Sequence, residues 1–359
     1  MKRKWFINFW VSSVYLFNAH NITAQNTSLW QFKAEQGFLI QHSQDIAPIG
    51  SAQPLGLGLD WSVLLDPAKH YANCLCLPRL GLSVNYHYLD KPGILGMALP
   101  VYGFFEPHYK LGSRTAFFLR GGMGLAYQSS PYDVESNPLN LSYSLYINTF
   151  IQLGLGFEYR LSDKWRANLA FMYNHTSNGG LQEPNKGLNY PTWQIGGSYS
   201  PKGIPNIETQ LLRKARPESR KHFEIQAFFA GKAIDNSRVT YLISGLELGY
   251  LHQLNRISAF DVGLEGVWHG ANRQRIALLP EKQLHQQLNL LLGHAFTLGK
   301  FVFSQQAGIY VYRDFNNTPD WFQRYGLHYY VWGPLSIGTN IRVHGHVAEF
   351  LDFRVGFSL

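Results

Sequence analysis

The sequence predicts an all-β protein, an antiparallel transmembrane β-barrel of about 14–16 strands. Three observations carry this reading. The composition is poor in charge and rich in aromatic residues, at 15% each, with 45% apolar residues overall; soluble domains carry about 25% charge. Beyond one N-terminal stretch no apolar run reaches the roughly 18 residues a spanning helix needs. Long runs of alternating apolar and polar residues, closed by Gly, Pro, Asn or Asp, recur from residue 26 to the end, the pattern of strands with one lipid-facing side.

The N-terminal stretch comes first. Lys2, Arg3 and Lys4 precede an apolar segment from Trp5 to about Phe17, and a more polar stretch ends at Thr23-Ala24-Gln25. Residues 1–25 therefore read as a cleaved secretory signal. Cys74 and Cys76 are the two cysteines; neither sits at a lipoprotein cleavage site, and their spacing makes neither a disulfide framework nor a zinc site. They read as ordinary small residues near a strand end.

Residues 26–201 form the first half of the barrel system, with strands expected near 34–44, 54–66, 78–89, 93–109, 114–128, 143–160, 164–177 and 189–200. The run from Tyr143 to Tyr159 shows the device best. Leu145, Ile147, Ile151, Leu153, Leu155 and Phe157 share one face, and Ser144, Asn148, Gln152, Gly154, Gly156 and Glu158 the other. Strands of this length exceed the five or six residues usual in soluble sandwiches.

A basic segment follows. Residues 202–221 hold Lys202, Arg213, Lys214, Arg216, Arg220 and Lys221 against Glu208 and Glu218, with Pro201, Pro205 and Pro217 in or beside them. This is a linker without an apolar period. It carries most of the net positive charge that remains once the signal is removed, so no folded basic face for nucleic acid is expected. Residues 222–359 form the second half, with strands expected near 221–232, 237–253, 256–269, 283–297, 299–311, 322–333, 334–345 and 346–358. One large barrel and two eight-stranded halves both fit this pattern.

Tyr86, Tyr88, Tyr127, Tyr329 and Tyr330 read as aromatics of a membrane-interface belt. His269, His285, His294, His344 and His346 show no metal-ligand spacing, although His344 and His346 would share one strand face. No metal, cofactor or nucleotide loop is expected.

If the mature chain starts in the periplasm, the turn between the seventh and eighth strands is extracellular and the basic linker periplasmic. That turn carries the one cluster resembling chemistry, His175-Thr176-Ser177-Asn178-Gly179-Gly180-Leu181-Gln182-Glu183-Pro184-Asn185. Residues two apart in a strand project from one face about 6–7 Å apart, so an imidazole at His175 can act as base for the Ser177 hydroxyl. Ala167, Leu169, Phe171 and Tyr173 share that face, which places the pair on the lipid-facing stripe. Polar groups there cost free energy, which suggests a substrate that itself lies in the outer leaflet. Asn178 and the backbone of Gly179 and Gly180 are candidate donors to an oxyanion.

The His-x-Ser-Asn motif followed by Gly and Pro-Asn resembles that of the outer-membrane lipid A deacylase (acyloxyacyl-hydrolase-like) family. The resemblance extends through Arg79–Tyr88, Gly93–Gly96, Leu153–Asp163 and Pro184–Asn189, and through Val347–Phe350 near the end, which look like the longer members. It implies a Gram-negative outer-membrane esterase that removes an ester-linked acyl chain from lipid A of lipopolysaccharide without metal or cofactor. Ser177 would be the nucleophile, His175 the base, and Asn178 with Gly180 the oxyanion donors. The family's acid falls at Asn189, a residue that can hold an imidazole but cannot neutralise it; Glu183 in the turn is a candidate substitute. The competing readings are a non-enzymatic barrel, pore or structural, of the same descent, and a soluble periplasmic β protein.

Overall fold

The computed structural model describes residues 27–359 except 68–70, 72–73, 205–220, 235–238, 278–283, 315–318 and 346. The expected signal, most of the basic linker and His346 lie outside the described residues. Eight strands make the first sheet: β1 (Thr27–Gly37), β2 (Leu55–Leu64), β3 (Leu77–Tyr88), β4 (Met97–Lys110), β5 (Thr115–Gln128), β6 (Ile147–Arg160), β7 (Trp165–Ser177) and β8 (Leu188–Tyr199). Eight more make the second: β9 (Lys221–Ala233), β10 (Thr240–Gln253), β11 (Ser258–His269), β12 (Gln286–Leu298), β13 (Phe301–Arg313), β14 (Trp321–Trp332), β15 (Leu335–His344) and β16 (Val347–Ser358). Each sheet is antiparallel, joins neighbours in chain order and closes on itself, β8 on β1 and β16 on β9. The protein is thus two eight-stranded barrels, which decides between the two closures the sequence allows. The physical reason is the closure of the first sheet: β8 returns to pair with β1 over eight residue positions, Trp30 opposite Tyr199 through Gly37 opposite Thr192, leaving no edge for β9 to join.

Side-chain alternation follows from the period of two. In β6, Ile147, Leu153, Leu155, Phe157 and Tyr159 are exposed, whereas Asn148, Phe150, Gln152 and Glu158 are buried. Outward apolar rows of this kind cover both barrels and suit a bilayer. An eight-stranded interior is just wide enough to be filled by side chains, and here the filling is ionic. In the first barrel Glu158 accepts a two-pronged bond from Arg79 at 2.7 Å on each arm, and Arg120 bridges Asp60 at 2.7 Å and Glu106 at 2.6 Å. In the second, Glu265 receives Arg342 at 2.5 Å, Arg324 at 2.6 Å and Arg354 at 2.8 Å. Such charges hold a barrel only as a complete set, since removing one partner of a buried pair costs about 3–5 kcal/mol.

Three expectations are corrected. The first strand is β1, not 34–44: Trp30 and Phe32 face outward while Gln31, Lys33 and Glu35 are buried, an alternation that begins before residue 34, and the chain leaves the sheet after Gly37. Tyr330 is no belt residue; it is 8% exposed in the lumen, because its neighbour Tyr329 takes the outward position against Phe301. Cys74 and Cys76 are disulfide-bonded to each other, in the connection between β2 and β3. β15 ends at His344, with Gly345 in a left-handed turn at φ +63°; the expected sharing of a face by His344 and His346 lies outside the described residues.

The rim at which β7 ends, here the upper rim, is roofed by its own loops. Leu39, Ile46 and Ile49 from the β1–β2 loop pack with Leu95, Tyr143 and Tyr190 in one buried cluster. The Tyr143 hydroxyl donates to the Leu95 carbonyl at 2.7 Å, and burial pushes its phenol well above the ordinary value. Beyond Gly37 the chain stays beside β8, the Ile40 N–H donating to the Asn189 carbonyl at 2.8 Å. This roof, together with the backbone bonds to β8, positions the β1–β2 loop over the end of β7.

Candidate active site on the outer wall of the first barrel

The register between β7 and β8 sets His175 directly opposite Asn189. Side chains of such a pair stand about 4.5–5.5 Å apart at Cβ, close enough for direct bonding across the strands. The Ser177 hydroxyl donates to His175 Nε2 at 3.0 Å, and His175 Nδ1 donates to Asn189 Oδ1 at 2.6 Å. Ser177, His175 and Asn189, three of the residues singled out from sequence, are therefore brought into one hydrogen-bonded row. Both His175 and Ser177 are half-buried on the outward face, as the parity of β7 predicts. Gly187, at φ +77°, lies where a Cβ would come within 3.0 Å of His175 Cε1, so the ring needs a residue without a side chain there.

The remaining predicted residues are in the turn. Asn178 organises it: its Oδ1 accepts the N–H groups of Gly180 at 3.0 Å and Leu181 at 3.1 Å, and its Nδ2 donates to the Gln182 carbonyl at 2.6 Å and to Ser144 Oγ at 3.2 Å. The Asn178 N–H itself donates to Asn185 Oδ1 at 3.0 Å. Both sequence-predicted donors are thus engaged in holding the turn. Glu183 accepts the Asn185 N–H at 2.9 Å and, among the described residues, makes no bond to His175. The acid's place is occupied by Asn189.

Sequence reasoning missed three partners. Tyr173 donates its hydroxyl to Asn189 Oδ1 at 2.9 Å; its signal was present, since it shares the outward face two residues before His175. His42 accepts from Asn189 Nδ2 at 3.1 Å, 147 residues away along the chain, and no local pattern announces it. The third is the second barrel. The Ala233 N–H on β9 donates to the Gly180 carbonyl at 2.7 Å and the Thr240 hydroxyl on β10 to the Leu181 carbonyl at 2.9 Å. Gly179 and Gly180 pass close to Leu351 and Glu349 of β16. The turn carrying the predicted oxyanion donors is held from one side by its own barrel and from the other by the second.

A closed β-barrel with an apolar exterior, bearing a serine–histidine–amide row on its outer wall at the rim, has the architecture of a membrane β-barrel. The comparisons with known proteins give the family. Residues 56–196 match the family model described as lipid A 3-O-deacylase (PagL), and residues 221–359 match that of the acyloxyacyl hydrolase C-terminal domain. The chain belongs to this lipid A 3-O-deacylase family. A comparison with curated proteins gives no match. Among solved structures, the chain is similar to the outer membrane enzyme PagL at 19% identity, over 46% of this chain and 97% of that one, with a TM-score of 0.34. It is also similar to Neisserial surface protein A at 11% identity, over 48% and 96%, with a TM-score of 0.35. A Rhodopseudomonas blastica porin variant is similar at 11% identity, over 93% and 99%, with a TM-score of 0.21.

Proposed function

We propose that this protein is an outer-membrane lipid A deacylase, a serine esterase that removes an ester-linked acyl chain from lipopolysaccharide in the outer leaflet. The observation that carries the reading is the row Ser177–His175–Asn189 on a lipid-facing wall of a family member. A polar row in that position costs the barrel free energy and gains it nothing in packing. A substrate whose ester sits at the same depth in the leaflet reaches it without leaving the membrane.

The chemistry follows the triad logic. Ser177 Oγ attacks the ester carbonyl while its proton passes to His175 Nε2. Asn189 Oδ1, accepting from Nδ1, keeps the ring's own proton on Nδ1 and, before the transfer, the Nε2 lone pair on the serine. The tetrahedral intermediate collapses, the lipid A hydroxyl leaves with the proton from Nε2, and an acyl-serine remains. Water, deprotonated by the same nitrogen, then attacks the acyl-serine; the second tetrahedral intermediate collapses, Ser177 Oγ takes the proton back from Nε2, and the fatty acid is released. Gly180 and Asn178 are the proposed oxyanion donors; the Gly180 N–H turns from Asn178 Oδ1 to the oxyanion as charge develops, a tightening expected on going from resting to reacting geometry. Because an amide cannot neutralise imidazolium, the Asn189 site is expected to be slower than a carboxylate site. In the same reading residues 1–25 are the secretory signal, residues 26–201 the deacylase barrel, residues 202–221 a periplasmic linker and residues 222–359 a barrel that supports the catalytic turn.

The test is mass spectrometry of hexa-acylated lipid A incubated with membranes containing the protein or its Ser177→Ala variant. Loss of one hydroxyacyl chain with the wild type alone is the expected result. No loss with either, in protein shown to be folded by heat-shifted gel mobility, would overturn the reading in favour of a non-enzymatic barrel.

A further inference from the structure

We infer that His42 is a positioning residue that makes Asn189 usable as the third member of the row. The inference rests on the esterase reading of that site and concerns a residue on a different loop. A carboxylate presents the same acceptor whichever way it turns. A carboxamide does not: with its oxygen on His175 Nδ1 the imidazole carries its proton there and offers Nε2 to Ser177, whereas with its nitrogen on Nδ1 the proton sits on Nε2 and the base is lost. An asparagine in this place works only if something fixes the amide.

The fixing starts at a group that cannot change role. The Lys186 carbonyl is an acceptor only, and His42 Nε2 lies 2.8 Å from it; an unprotonated Nε2 there would set two lone pairs against each other, so Nε2 carries the proton. In neutral His42, Nδ1 is then an acceptor. It lies 3.1 Å from the Asn189 amide nitrogen and receives a proton from it, which turns Oδ1 towards His175 Nδ1 at 2.6 Å. The Ile40 carbonyl, 3.2 Å from His42 Nδ1, would compete for the other tautomer, but that tautomer leaves the shorter contact to Lys186 repulsive. Tyr173 does not decide the matter, because a hydroxyl can donate to an amide oxygen or accept from an amide nitrogen. The result is one directional series from the Ser177 hydroxyl through His175, Asn189 and His42 to the Lys186 carbonyl. It spans β7, β8 and the β1–β2 loop.

The experiment uses the full-length protein in lipid and reads two quantities. The first is turnover of lipid A with His42→Lys, His42→Gln and His42→Ala, each in the wild-type and Asn189→Asp backgrounds. A lysine at 42 is a donor only and pulls Oδ1 away from His175; loss of the correct tautomer costs up to about 10⁴-fold in a serine triad, so kcat should fall by at least about 100-fold with KM little changed. His42→Gln, whose amide oxygen can accept, should retain activity within a few-fold, and His42→Ala should lie between. In the Asn189→Asp background the lysine should cost less than about threefold, because a carboxylate has no wrong orientation. Equal losses in both backgrounds would show a plain charge effect and overturn the inference.

The second quantity is the ring-nitrogen NMR shifts of His42 and His175. Protonation of His42 at Nε2 and of His175 at Nδ1 is expected, with His175 changing tautomer in His42→Lys. A His175 that keeps its tautomer in that variant overturns the inference even if activity falls. Expected tautomers in a wild type that releases no acyl chain would instead overturn the esterase reading and leave the His42 assignment standing.

Discussion

Gly231 on β9 offers a direct way to ask what the second barrel does for the turn that follows Ser177. A Cβ at that position would lie 2.6 Å from Leu181 Cδ2 and 2.8 Å from Thr240 Cγ2. Carbon atoms settle at about 3.5–4.0 Å, so the contact to Leu181 falls short by about 0.9–1.4 Å. In Gly231→Ala the single methyl can be accommodated by rotation of Leu181, whose side chain is 41% exposed. In Gly231→Val the branched side chain, stiff at χ1, fills the space into which Leu181 would rotate, and the turn itself must lift by about 1 Å. Misplacement of about 1 Å can cost on the order of 100-fold in rate. The expected series is near-wild-type kcat for Gly231→Ala and a fall of about 10- to 100-fold for Gly231→Val, with KM little changed. Adding Leu181→Ala to the valine variant should restore most of the loss. Turnover on lipid A by mass spectrometry, with heat-shifted mobility as the check on folding, reads all three. Full activity in Gly231→Val, or no recovery in the double variant, refutes the idea that the second barrel sets the geometry of the turn.

Two further outcomes follow from the packing. Glu265→Gln leaves Arg324, Arg342 and Arg354 around a neutral amide, so the second barrel should lose about 3–5 kcal/mol of unfolding free energy, measured by urea unfolding in lipid; a loss under about 1 kcal/mol contradicts the ionic account of the lumen. At the rim, the Lys186 ammonium, 2.9 Å from Asp45, holds that carboxyl below its ordinary value. A lowered folded value means that the bridge contributes above the usual aspartate range and is lost as pH falls through the depressed value. An NMR titration should show the Asp45 midpoint moving up in Lys186→Ala; an unmoved midpoint would remove this bridge from the description of the loop.

Much of the fold could be read along the chain because barrel strands write their geometry locally. The outward row of β6 and the lipid-facing placement of His175 and Ser177 follow from a period of two, which needs no knowledge of neighbours. The same logic erred where a local pattern had competing context. The first strand is expected only from residue 34, although the alternation already runs through Trp30 and Phe32, and Tyr330 is given an outward position that only its neighbour Tyr329 takes. Cys74 and Cys76 carried no pairing signal at so short a spacing.

What the sequence by itself determined is the residue set of the strand end: a histidine and a serine on one face, an amide at 189 where the family resemblance implies an acid, and a glycine-rich turn. Tertiary structure alone decided that Asn189 stands opposite His175, since that depends on the register of two strands across a ten-residue turn. It also decided that His42 reaches Asn189 and that Ala233 and Thr240 hold Gly180 and Leu181. These partners lie far apart in sequence and meet only because two barrels close and one loop folds over a rim. Hydrogen bonds depend on distance and direction in space, and no local periodicity records either.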